Sequence, residues 1–363
     1  MTDGEHIPVL LNEAMAALSI SQDDVVVDAT FGRGGHARAI LAALGPRGRL
    51  VAIDRDPAAA IAARNINDNR FTFRHAWFSE LPEILAAWRI DTADAVLVDL
   101  GVSSPQLDDA TRGFSYRFEG PLDMRMDPMR GESAADFLAR ASVEELTDVI
   151  HDYGEERFAQ SIARAIAAAR VIAPIVSTKQ LAAIIGKAVG TRTRGDWRQD
   201  PAARTFAPIV STKQLAAIIG KAVGARTRGD WRQDPAARTF QALRIVVNRE
   251  LAELSTALPR ITALLSPGAR LAIISFHSLE DRIVKRFIAF ASQPFGGDPR
   301  IARLALRSSA LPEVPLRKIG RAQKPSIDEV RRNPRSRSAV LRVAERTDAP
   351  LPADWPQGWS GVS

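Results

Sequence analysis

Short apolar segments typical of β-strands alternate with helical patterns in this chain, and this alternation limits the folds it can adopt. Segments rich in β-branched or apolar residues are predicted strands: Val25–Ala29, Arg49–Asp54, Phe71–His75, Ala95–Leu100, Ala269–Ser275 and Ser338–Glu345. Segments with helical apolar spacing are predicted helices: His36–Leu44, Pro57–Asn65, Leu81–Trp88 and Leu279–Ala291. The alternation predicts an α/β protein with a doubly wound, mostly parallel sheet. Such sheets bind their ligands at the carboxyl ends of the strands.

The alternation stops between Asp108 and about Phe240, where the chain is alanine-rich and helical, with Pro and Gly breaks. We therefore expect a helical domain at residues 109–240. It is inserted into a sheet domain that is built from residues 1–108 and 241–346. The last segment, residues 347–363, is rich in Pro, Trp and Gly and is expected to be disordered.

A segment of 34 residues occurs twice in tandem within the expected helical domain. Residues 173–206 recur at 207–240 with one difference, Thr191 in the first copy and Ala225 in the second. The period matches a tetratricopeptide repeat, but each copy offers one apolar helical stretch where that repeat needs two packed helices. A core site with room for one apolar stripe predicts that one copy packs and the other is extruded or weakly docked. Each copy carries a capping box that can start a helix, Ser177 with Gln180 and Ser211 with Gln214.

Composition excludes several classes of site. The chain has no cysteine, which rules out disulfides, a zinc site with cysteine ligands and a thiol nucleophile. Its five histidines form no HExxH pair, so no metal site is expected. No apolar run approaches the roughly 18 residues of a membrane span, and the N-terminus lacks the pattern of a signal peptide. These features predict a soluble, cytoplasmic protein.

Positive charge is concentrated near the C-terminus. The formal net charge is +7, and residues 300–346 hold 13 Lys/Arg against 4 Asp/Glu, so the rest of the chain is close to neutral. Clustered arginines bind phosphates through forked hydrogen bonds and counterion release, although a solvated surface has the same pattern. The cluster makes a nucleic acid a candidate partner, but it indicates no particular base.

A glycine-rich turn follows the first predicted strand. Gly32-x-Gly34-x-x-Ala37 fits the dinucleotide-binding fingerprint, and Asp54 lies 22 residues after Gly32, where a ribose-binding acid is expected. Asp28 argues against a pyrophosphate because both groups are negative. The sulfonium and ammonium groups of S-adenosylmethionine are positive, so these residues favour a methyltransferase over a nicotinamide dehydrogenase. An ordinary strand-to-helix turn is the structural alternative.

The fourth predicted strand ends in Asp99 and a tight loop with Ser104, Pro105 and Gln106. Methyltransferases that act on amines carry a short polar-proline loop here. An exocyclic amine of a base is a poor nucleophile because its lone pair is delocalised into the ring. A Ser or Asp side chain and a backbone carbonyl can accept its two hydrogens and hold the amine in line with the sulfonium. The base must also leave its stack. An ordinary turn is again the alternative.

Nine segments, in order along residues 6–346, resemble the bacterial family of ribosomal RNA small-subunit methyltransferases H. The matching segments are His6–Glu13, Asp28–His36, Ala52–Asp56, Asp99–Gln106, Arg112–Tyr116, Pro121–Asp127, Tyr153–Glu156, Ser275–Asp281 and Asn333–Ala339. The resemblance implies a Rossmann-like class I methyltransferase sheet with an inserted helical domain. It also implies S-adenosyl-L-methionine as cofactor and methylation of N4 of one cytidine in the decoding region of 16S ribosomal RNA, within the small ribosomal subunit.

The resemblance implies cofactor contacts at seven positions: Gly34, Gly35, His36, Asp54, Phe78, Asp99 and Gln106. The chemistry agrees for Asp54, which suits ribose hydroxyls, and for Phe78, which could cover the adenine ring. His36 could instead cap the following helix, and Phe78 could be a core residue. The duplicated segment departs from the family pattern and bears on the RNA-facing surface more than on the cofactor site.

We predict direct in-line methyl transfer with no covalent enzyme intermediate, since a cytosine C5 methyltransferase needs the thiol that this chain lacks. Asp99, Ser104 and the Pro105 carbonyl are the candidates that orient the amine. Expected RNA contacts are Tyr116, Arg125, His277, Arg335 and Arg337, with Phe114 or Phe118 as alternative stacking rings and Arg317 and Lys324 as further phosphate contacts. Near His277, Glu280 and Asp281 could position RNA or accept a proton, or Ser278 with Asp281 could simply start a helix. The competing functions are a DNA amino methyltransferase and a non-catalytic RNA-binding assembly factor.

Overall fold

The structure, a computed structural model, describes residues 8–197, 234–293 and 313–361, with the backbone alone for residues 191–197. The chain divides into two compact units. One consists of Met1–Ser103 with Arg249–Ser363, and the other of Ser104–Asn248. The observed boundaries follow Ser103 and Asn248, whereas the expected ones follow residues 108 and 240. Among the described residues, no helix is long and apolar enough to cross a membrane.

Helices and strands alternate in the first unit, and the described part of the second contains helices and no named strand. The strands are β1 (Val25–Asp28), β2 (Arg49–Asp54), β3 (Phe71–His75), β4 (Ala93–Asp99), β5 (Leu265–Ser275), β6 (Leu316–Gln323) and β7 (Val340–Arg346). The α-helices are α1 (Leu11–Leu18), α2 (Gly35–Ala43), α3 (Pro57–Ala63), α4 (Leu81–Ala87), α5 (Ser104–Asp108), α6 (Ala134–Arg140), α7 (Val143–Asp152), α8 (Ala159–Ile172), α9 (Thr178–Trp197), α10 (Pro235–Val247), α11 (Glu250–Leu264), α12 (Ser278–Ser292) and α13 (Ile327–Arg332). Short 3₁₀ helices lie at Phe78–Glu80, Ala110–Arg112 and Pro334–Ser338.

The seven strands form one sheet in the order β3-β2-β1-β4-β5-β7-β6. Strands β1 to β5 are parallel, and β7 runs antiparallel to both β5 and β6. The direction of winding reverses between β1 and β4, and in doubly wound sheets ligands bind at this switch point, beside the carboxyl ends of the strands. The structure confirms the predicted fold class, a doubly wound, Rossmann-like α/β sheet with an inserted helical region.

Strand β6 is absent from the predicted strands, and the reason lies in its position. Its sequence, Leu-Arg-Lys-Ile-Gly-Arg-Ala-Gln, is basic, and only Leu316 is buried. A strand at the edge of a sheet pairs on one side only, so it does not need the apolar alternation that marks a half-buried strand. The segment therefore has the composition of a charged surface and carries no strand pattern.

Both faces of the sheet are covered by helices, and the alternation of side chains along each strand explains why. One buried cluster joins α1, α2 and α3 to the same face of the central strands through Leu18, Ile40, Ala52, Leu97 and Ile274. The intervening residues, such as Val27, Ile53, Val96 and Ile273, are equally buried. Successive side chains of a strand point to opposite faces, so these residues pack on the other side, where α11 contacts both α4 and α12.

The second unit is held together by apolar faces of α6 to α10. Phe137, Leu146, Ile162 and Leu243 are each at most 1% exposed. Serine caps start three of the helices, because the hydroxyls of Ser133, Ser142 and Ser177 accept backbone amides at the first turns of α6, α7 and α9. The capping box predicted at residues 177 and 180 is confirmed, and its counterpart at 211 and 214 lies outside the described residues.

The fold uses the beginning of the first repeat copy and the end of the second. Leu181 and Ile185 of the first copy are buried in α9, and Thr239 and Phe240 of the second copy are buried in α10. Residues 198–233, which contain the rest of both copies, lie outside the described part. The packed side chains among the described residues therefore come from both copies, which the near-identity of the copies allows.

Deleting residues 207–240 gives the same polypeptide as deleting 200–233, because the two copies are identical over the exchanged stretch. When it is written as a deletion of residues 200–233, it removes no described residue. We expect the thermal midpoint to stay within a few degrees of the full chain, because every described residue is kept and shortening a connection costs little. Differential scanning calorimetry of both proteins checks this. A large drop in the midpoint would instead mean that residues 198–233 pack into the fold.

The expectation of a disordered C-terminal tail is wrong for residues 347–361. Trp355 and Trp359 stack against Phe287 and Phe290 of α12, with ring centroids between 5.1 and 6.2 Å apart. The indole of Trp359 donates to the Ser255 carbonyl at 2.9 Å, and that of Trp355 donates to the Pro259 carbonyl at 3.1 Å. Tryptophans bury large apolar areas, so this short segment is ordered without secondary structure.

The bond from Trp359 replaces one that helix α11 lacks. Pro259 lies inside this helix and has no amide hydrogen, so it cannot donate to the carbonyl of Ser255 four residues earlier. The indole N–H of Trp359 reaches that same carbonyl. The tail therefore satisfies a backbone acceptor that the proline leaves open.

Candidate active site

Three carboxylates lie at the carboxyl ends of neighbouring strands. Asp28, Asp54 and Asp99 are the last residues of β1, β2 and β4. The amide of Asp99 donates to Thr30 Oγ1 at 2.6 Å, and Asp28 Oδ1 accepts the amide of Thr30 at 3.2 Å. Thr30 thus ties the ends of β1 and β4 together at the switch point of the sheet, where sequence reasoning expects the ligand.

Burial raises the pKa of all three acids, and neighbouring carboxylates add to the effect. Burial raises the pKa of Asp28 to about 7, with a smaller contribution from Asp54. Burial also raises the pKa of Asp54, although two backbone amides oppose the shift. The pKa of Asp99 lies well above its usual range because of burial first, and then because of the charges of Asp28 and Glu280. Such a cluster of acids favours a positively charged ligand.

Two oxygens of these acids are buried without a hydrogen-bond partner among the described residues. They are Asp28 Oδ2 and Asp99 Oδ1. Buried polar atoms are nearly always satisfied in folded proteins, so an exception needs a cause. A ligand that brings positive charge or N–H donors to this edge of the sheet is such a cause. The raised pKa values and the open acceptors therefore point to the same kind of ligand.

The glycine turn after β1 is shaped by backbone geometry that other residues would strain. Gly32 has φ +55° and Gly34 has φ +75°, a region that favours glycine. A Cβ at Gly34 would meet the Phe31 ring at 2.7 Å, and one at Gly35 would meet Pro8 Cγ at 2.3 Å. The glycines are required both for the turn itself and for its close approach to neighbouring residues.

Asp54 holds this turn in place. Its Oδ2 accepts the amide of Gly32 at 2.7 Å, and its Oδ1 accepts the amide of Asp56 at 2.8 Å. Each carboxylate oxygen keeps a second lone pair for a ligand hydroxyl. The spacing read from the sequence thus corresponds to a direct bond between the first glycine and the acid at the end of β2.

His36 and Phe78 are both buried near the carboxyl ends of the strands. His36 Nδ1 lies 3.6 Å from Asp99 Oδ2. The cap residue of α2 is Gly34, which has no side chain, so the structure does not support the alternative in which His36 caps that helix. Phe78 starts the 3₁₀ turn before α4 and is 7% exposed. Its burial fits both the adenine-covering role and the core alternative.

The end of β5 brings a histidine and a glutamate together at the start of α12. Glu280 Oε2 accepts the amides of Phe276 at 2.8 Å and His277 at 3.3 Å, and the amide of Glu280 donates to His277 Nδ1 at 3.4 Å. This capping box replaces the predicted one at Ser278 and Asp281. Asp281 is instead held by Arg342, with an Nε–Oδ1 distance of 2.7 Å.

A second glutamate joins this pair from α11. Glu250, His277 and Glu280 each offer a ligand atom, and these atoms lie within 4.8 Å of one another. Two buried carboxylates and an imidazole form a donor set that suits a divalent cation. The capping bond opposes that use, because Nδ1 already accepts the amide hydrogen of Glu280. We interpret the group as the helix cap of α12, with Glu250 close to it.

The Nε2 atom of His277 has no hydrogen-bond partner among the described residues, although Glu280 Oε1 lies 3.2 Å away. Sequence reasoning named His277 but missed Glu250. A glutamate in the first turn of a helix is explained by the helix dipole alone, so no local signal distinguishes Glu250 from a surface acid.

Other predicted site residues belong to the second unit. Ser104, Pro105 and Gln106 form the start of α5, and Gln106 is buried. The Pro105 carbonyl accepts the amide of Asp109 at 2.9 Å, which leaves it one lone pair. The Tyr116 ring packs against Phe240 at 5.5 Å, and Arg125 pairs with Asp123 at 2.7 Å. Both side chains therefore already have partners within this unit.

The predicted basic contacts of the first unit are spread over its surface. Arg335 and Arg337 are exposed on the 3₁₀ turn before β7, and Lys324 is exposed after β6. Arg317 forms an ion pair with Glu345, which also pairs with Arg270. His6 and residues 300–312 of the basic region lie outside the described residues.

Comparisons with known proteins agree on one family. The family model described as "MraW methylase family" matches residues 3–209 and 202–347, and the two matches overlap inside the duplicated segment. The chain is 51% identical over 343 residues to "Ribosomal RNA small subunit methyltransferase H" of Azoarcus sp. strain BH72, covering 94% of this chain and 97% of that protein. It is 53% identical over 344 residues to the protein of the same name from Methylobacillus flagellatus, covering 94% and 95%.

Among solved structures, one from Streptococcus mutans in complex with SAH aligns with a TM-score of 0.36 at 11% identity, covering 94% of this chain and 99% of that one. The sequence matches carry the assignment, because the family model spans most of the chain and the relatives are matched over nearly their whole length. The chain belongs to the MraW methylase family.

Proposed function

We propose that this protein transfers a methyl group from S-adenosyl-L-methionine to N4 of a cytidine in the decoding region of 16S ribosomal RNA, in the small ribosomal subunit. Membership of a methylase family and the names of its half-identical relatives support an RNA methyltransferase. The cofactor assignment rests on one observation above all. Two buried carboxylate oxygens, on Asp28 and Asp99, lack a partner among the described residues beside a glycine turn.

The residues present fit the cofactor. When bound, it supplies an electrophilic methyl group on a positive sulfonium. Gly34, Gly35 and His36 would admit it at the start of α2, and Asp54 would accept hydrogen bonds from ribose hydroxyls. Phe78 and Gln106 complete the set that family resemblance implies, as an adenine cover and a polar contact. Asp99 would face the sulfonium side, since its free oxygen lies at the end of the strand.

The chemistry of the target amine assigns the catalytic roles. Its lone pair must be localised away from the ring, which requires acceptors for its two hydrogens. Ser104 Oγ and the Asp99 carboxylate are the stronger candidates, because the Pro105 carbonyl already accepts the amide of Asp109. Transfer is in line and forms no covalent bond to the enzyme. The excess proton leaves the amine after transfer, and the acids with raised pKa values are suited to receive it.

The expected RNA contacts are divided between the two units. Tyr116 and Arg125 lie in the helical unit, and His277, Arg335 and Arg337 lie in the sheet unit. His277 stays an expected RNA contact at the start of α12, although its Nε2 atom is buried 3.2 Å from Glu280 Oε1. The exposed arginines suit phosphates, to which they donate forked hydrogen bonds.

The decisive experiment is mass spectrometry of small-subunit ribosomal RNA from cells with and without the gene. We expect N4-methylcytidine at one decoding-region position only when the protein is present. Purified protein should restore it on RNA or particles from the deficient cells, and Ser104→Ala should slow this transfer. Methylation of DNA instead, or no binding of S-adenosylmethionine by calorimetry, would overturn the proposal in favour of the corresponding alternative.

The pH dependence of cofactor binding follows from Asp28. Its pKa is raised to about 7, and its ionised form attracts the positive cofactor. Affinity for S-adenosylmethionine should therefore rise about tenfold between pH 6 and pH 8, with release of a proton. The free energy of unfolding of the unliganded protein should instead fall as the pH rises. The pKa of Asp28 is higher in the folded chain than its unfolded value of 3.8, so its stabilising contribution is complete below pH 3.8 and is lost as the pH rises towards 7.

Calorimetry in two buffers of different ionisation enthalpy measures both the affinity and the released proton. Asp28→Asn should flatten the profile while keeping the shape of the side chain, and the residual slope reports Asp99. A wild-type affinity that does not change between these pH values would contradict the role of Asp28.

A further inference from the structure

A cleft between α12 and the edge strand β6 is lined by positive charge. It lies in the first unit and has a volume of about 200 Å³. Lys285 borders it from the helix, and Lys318 and Arg321 border it from the strand. Its polar remainder is formed by Ser292 and Gln293 at the end of α12. None of these residues belongs to the carboxylate site at the ends of β1, β2 and β4.

The three bordering cations lack anionic partners. Lys285, Lys318 and Arg321 are exposed, and none forms an ion pair with another residue in the described parts of the chain. Arg342 also lines the cleft, but Asp281 neutralises it through two bonds of 2.7 and 2.9 Å. Like charges that converge from two elements repel one another, so the protein alone gains nothing from this arrangement.

The strand itself is irregular where it borders the cleft. Ile319 pairs with Val343 and Gln323 with Leu341, so β6 advances four residues while β7 advances two. Residues 320–322 thus have no register partner on β7, and Gly320 adopts φ +61°. Bulges of this kind re-aim side chains and recur beside binding sites. Here the bulge places Arg321 on the cleft and leaves nearby amides outside the ladder.

We propose that this cleft binds the sugar–phosphate backbone of the RNA substrate. The inference rests on the proposed function and adds the surface that holds the RNA strand. Cations on both sides of an open cleft suit a chain of phosphates, because each can contact a different phosphate and release its counterions. Contacts to phosphates position a nucleic acid without reading its sequence, so the three cations would track the backbone.

The test is charge reversal in the full chain, with the triple variant Lys285→Glu, Lys318→Glu and Arg321→Glu. Its affinity for a fragment of small-subunit ribosomal RNA is measured by fluorescence anisotropy over a series of salt concentrations. Each lost phosphate contact lowers the slope of log affinity against log salt by about 0.7, so we expect a loss of about 2. At low salt the affinity should fall by about tenfold or more.

A matched control reverses three exposed cations near the opposite edge of the sheet, Arg49→Glu, Arg64→Glu and Arg74→Glu. It changes net charge equally and should keep most of the slope. Equal losses in both triple variants would overturn the proposal, because net charge alone would then explain the effect. Lys285→Gln, Lys318→Gln and Arg321→Gln together form a milder variant for the case in which reversal unfolds the protein.

Two further measurements separate this proposal from its alternatives and from the function itself. S-adenosylmethionine affinity should be unchanged in the reversal variant, since the cleft is not part of the carboxylate site. If inorganic phosphate bound the wild-type cleft while RNA binding ignored the substitutions, the site would be one for small anions and the proposal would fail. If the RNA slope fell as expected but no N4-methylcytidine formed, the cleft would stand and the proposed reaction would fall.

Discussion

Replacing Asp99 with asparagine should abolish most of the methyl transfer without unfolding the protein. Asp99 ends β4 at the switch point of the sheet. Its Oδ1 is buried without a hydrogen-bond partner among the described residues, and its Oδ2 lies 3.6 Å from His36 Nδ1. Asparagine keeps the shape but removes the charge and one acceptor. Removal of one such preorganised group typically lowers kcat by about 100- to 1,000-fold. A single-turnover assay of transfer from labelled cofactor to RNA measures the rate of methyl transfer.

The thermal stability of Asp99→Asn should not fall with its activity and should stay equal or increase. The pKa of Asp99 is raised by burial and by the charges of Asp28 and Glu280, so its ionised form strains the fold at neutral pH. The thermal midpoint of Asp99→Asn should therefore equal or exceed that of the wild type at pH 8. Asp91→Asn is the matched control, because Asp91 is exposed just before the same strand and should affect neither quantity. A variant that lost activity and stability together would indicate a structural role instead.

Phe287→Ala should destabilise the sheet unit strongly. The ring is fully buried in α12 and contacts Phe290, Trp355 and Trp359. Truncation of a buried aromatic residue costs about 3–5 kcal/mol, from lost transfer energy and from the cavity that remains. Chemical denaturation measures the free energy of unfolding. Ile61→Ala provides the control, since Ile61 is 63% exposed and should cost at most about 0.5 kcal/mol.

The same cluster allows a sharper test of the tail. Trp359→Phe keeps an aromatic ring but removes the N–H that reaches Ser255, which should cost about 1 kcal/mol. In a Pro259→Ala background the helix regains its own amide donor for that carbonyl, so the cost should shrink. A double-mutant cycle gives this coupling energy. Strictly additive effects would show that the indole bond does not compensate for the proline.

The local parts of the fold and site could be predicted from the sequence. Strands β1 to β5 and the first glycine turn follow from apolar runs bounded by turn residues, and these signals act within a few neighbouring residues. Asp28, Asp54 and Asp99 follow in turn, because residues that end parallel strands must meet at one edge of the sheet. Family motifs then identified the chemistry that such an edge supports.

Tertiary structure decided what depends on distant packing. Glu250 lies close to His277 and Glu280 because α11 and β5 fold against each other. No sequence pattern around Glu250 predicts this proximity. The tail is ordered because Trp355 and Trp359 find Phe287, not because of its own composition. An edge strand such as β6 carries little apolar pattern, so its pairing with β7 shows only in three dimensions.

The repeat shows most clearly what the sequence determined and what it left to the structure. The sequence alone determined that the chain holds two nearly identical copies and that either can start a helix. It could not determine which residues pack, since identical side chains have identical local preferences. The structure chose the first half of one copy and the last residues of the other. That choice depends on where the chain enters and leaves the helical unit, which is a property of the assembled core and not of any local segment.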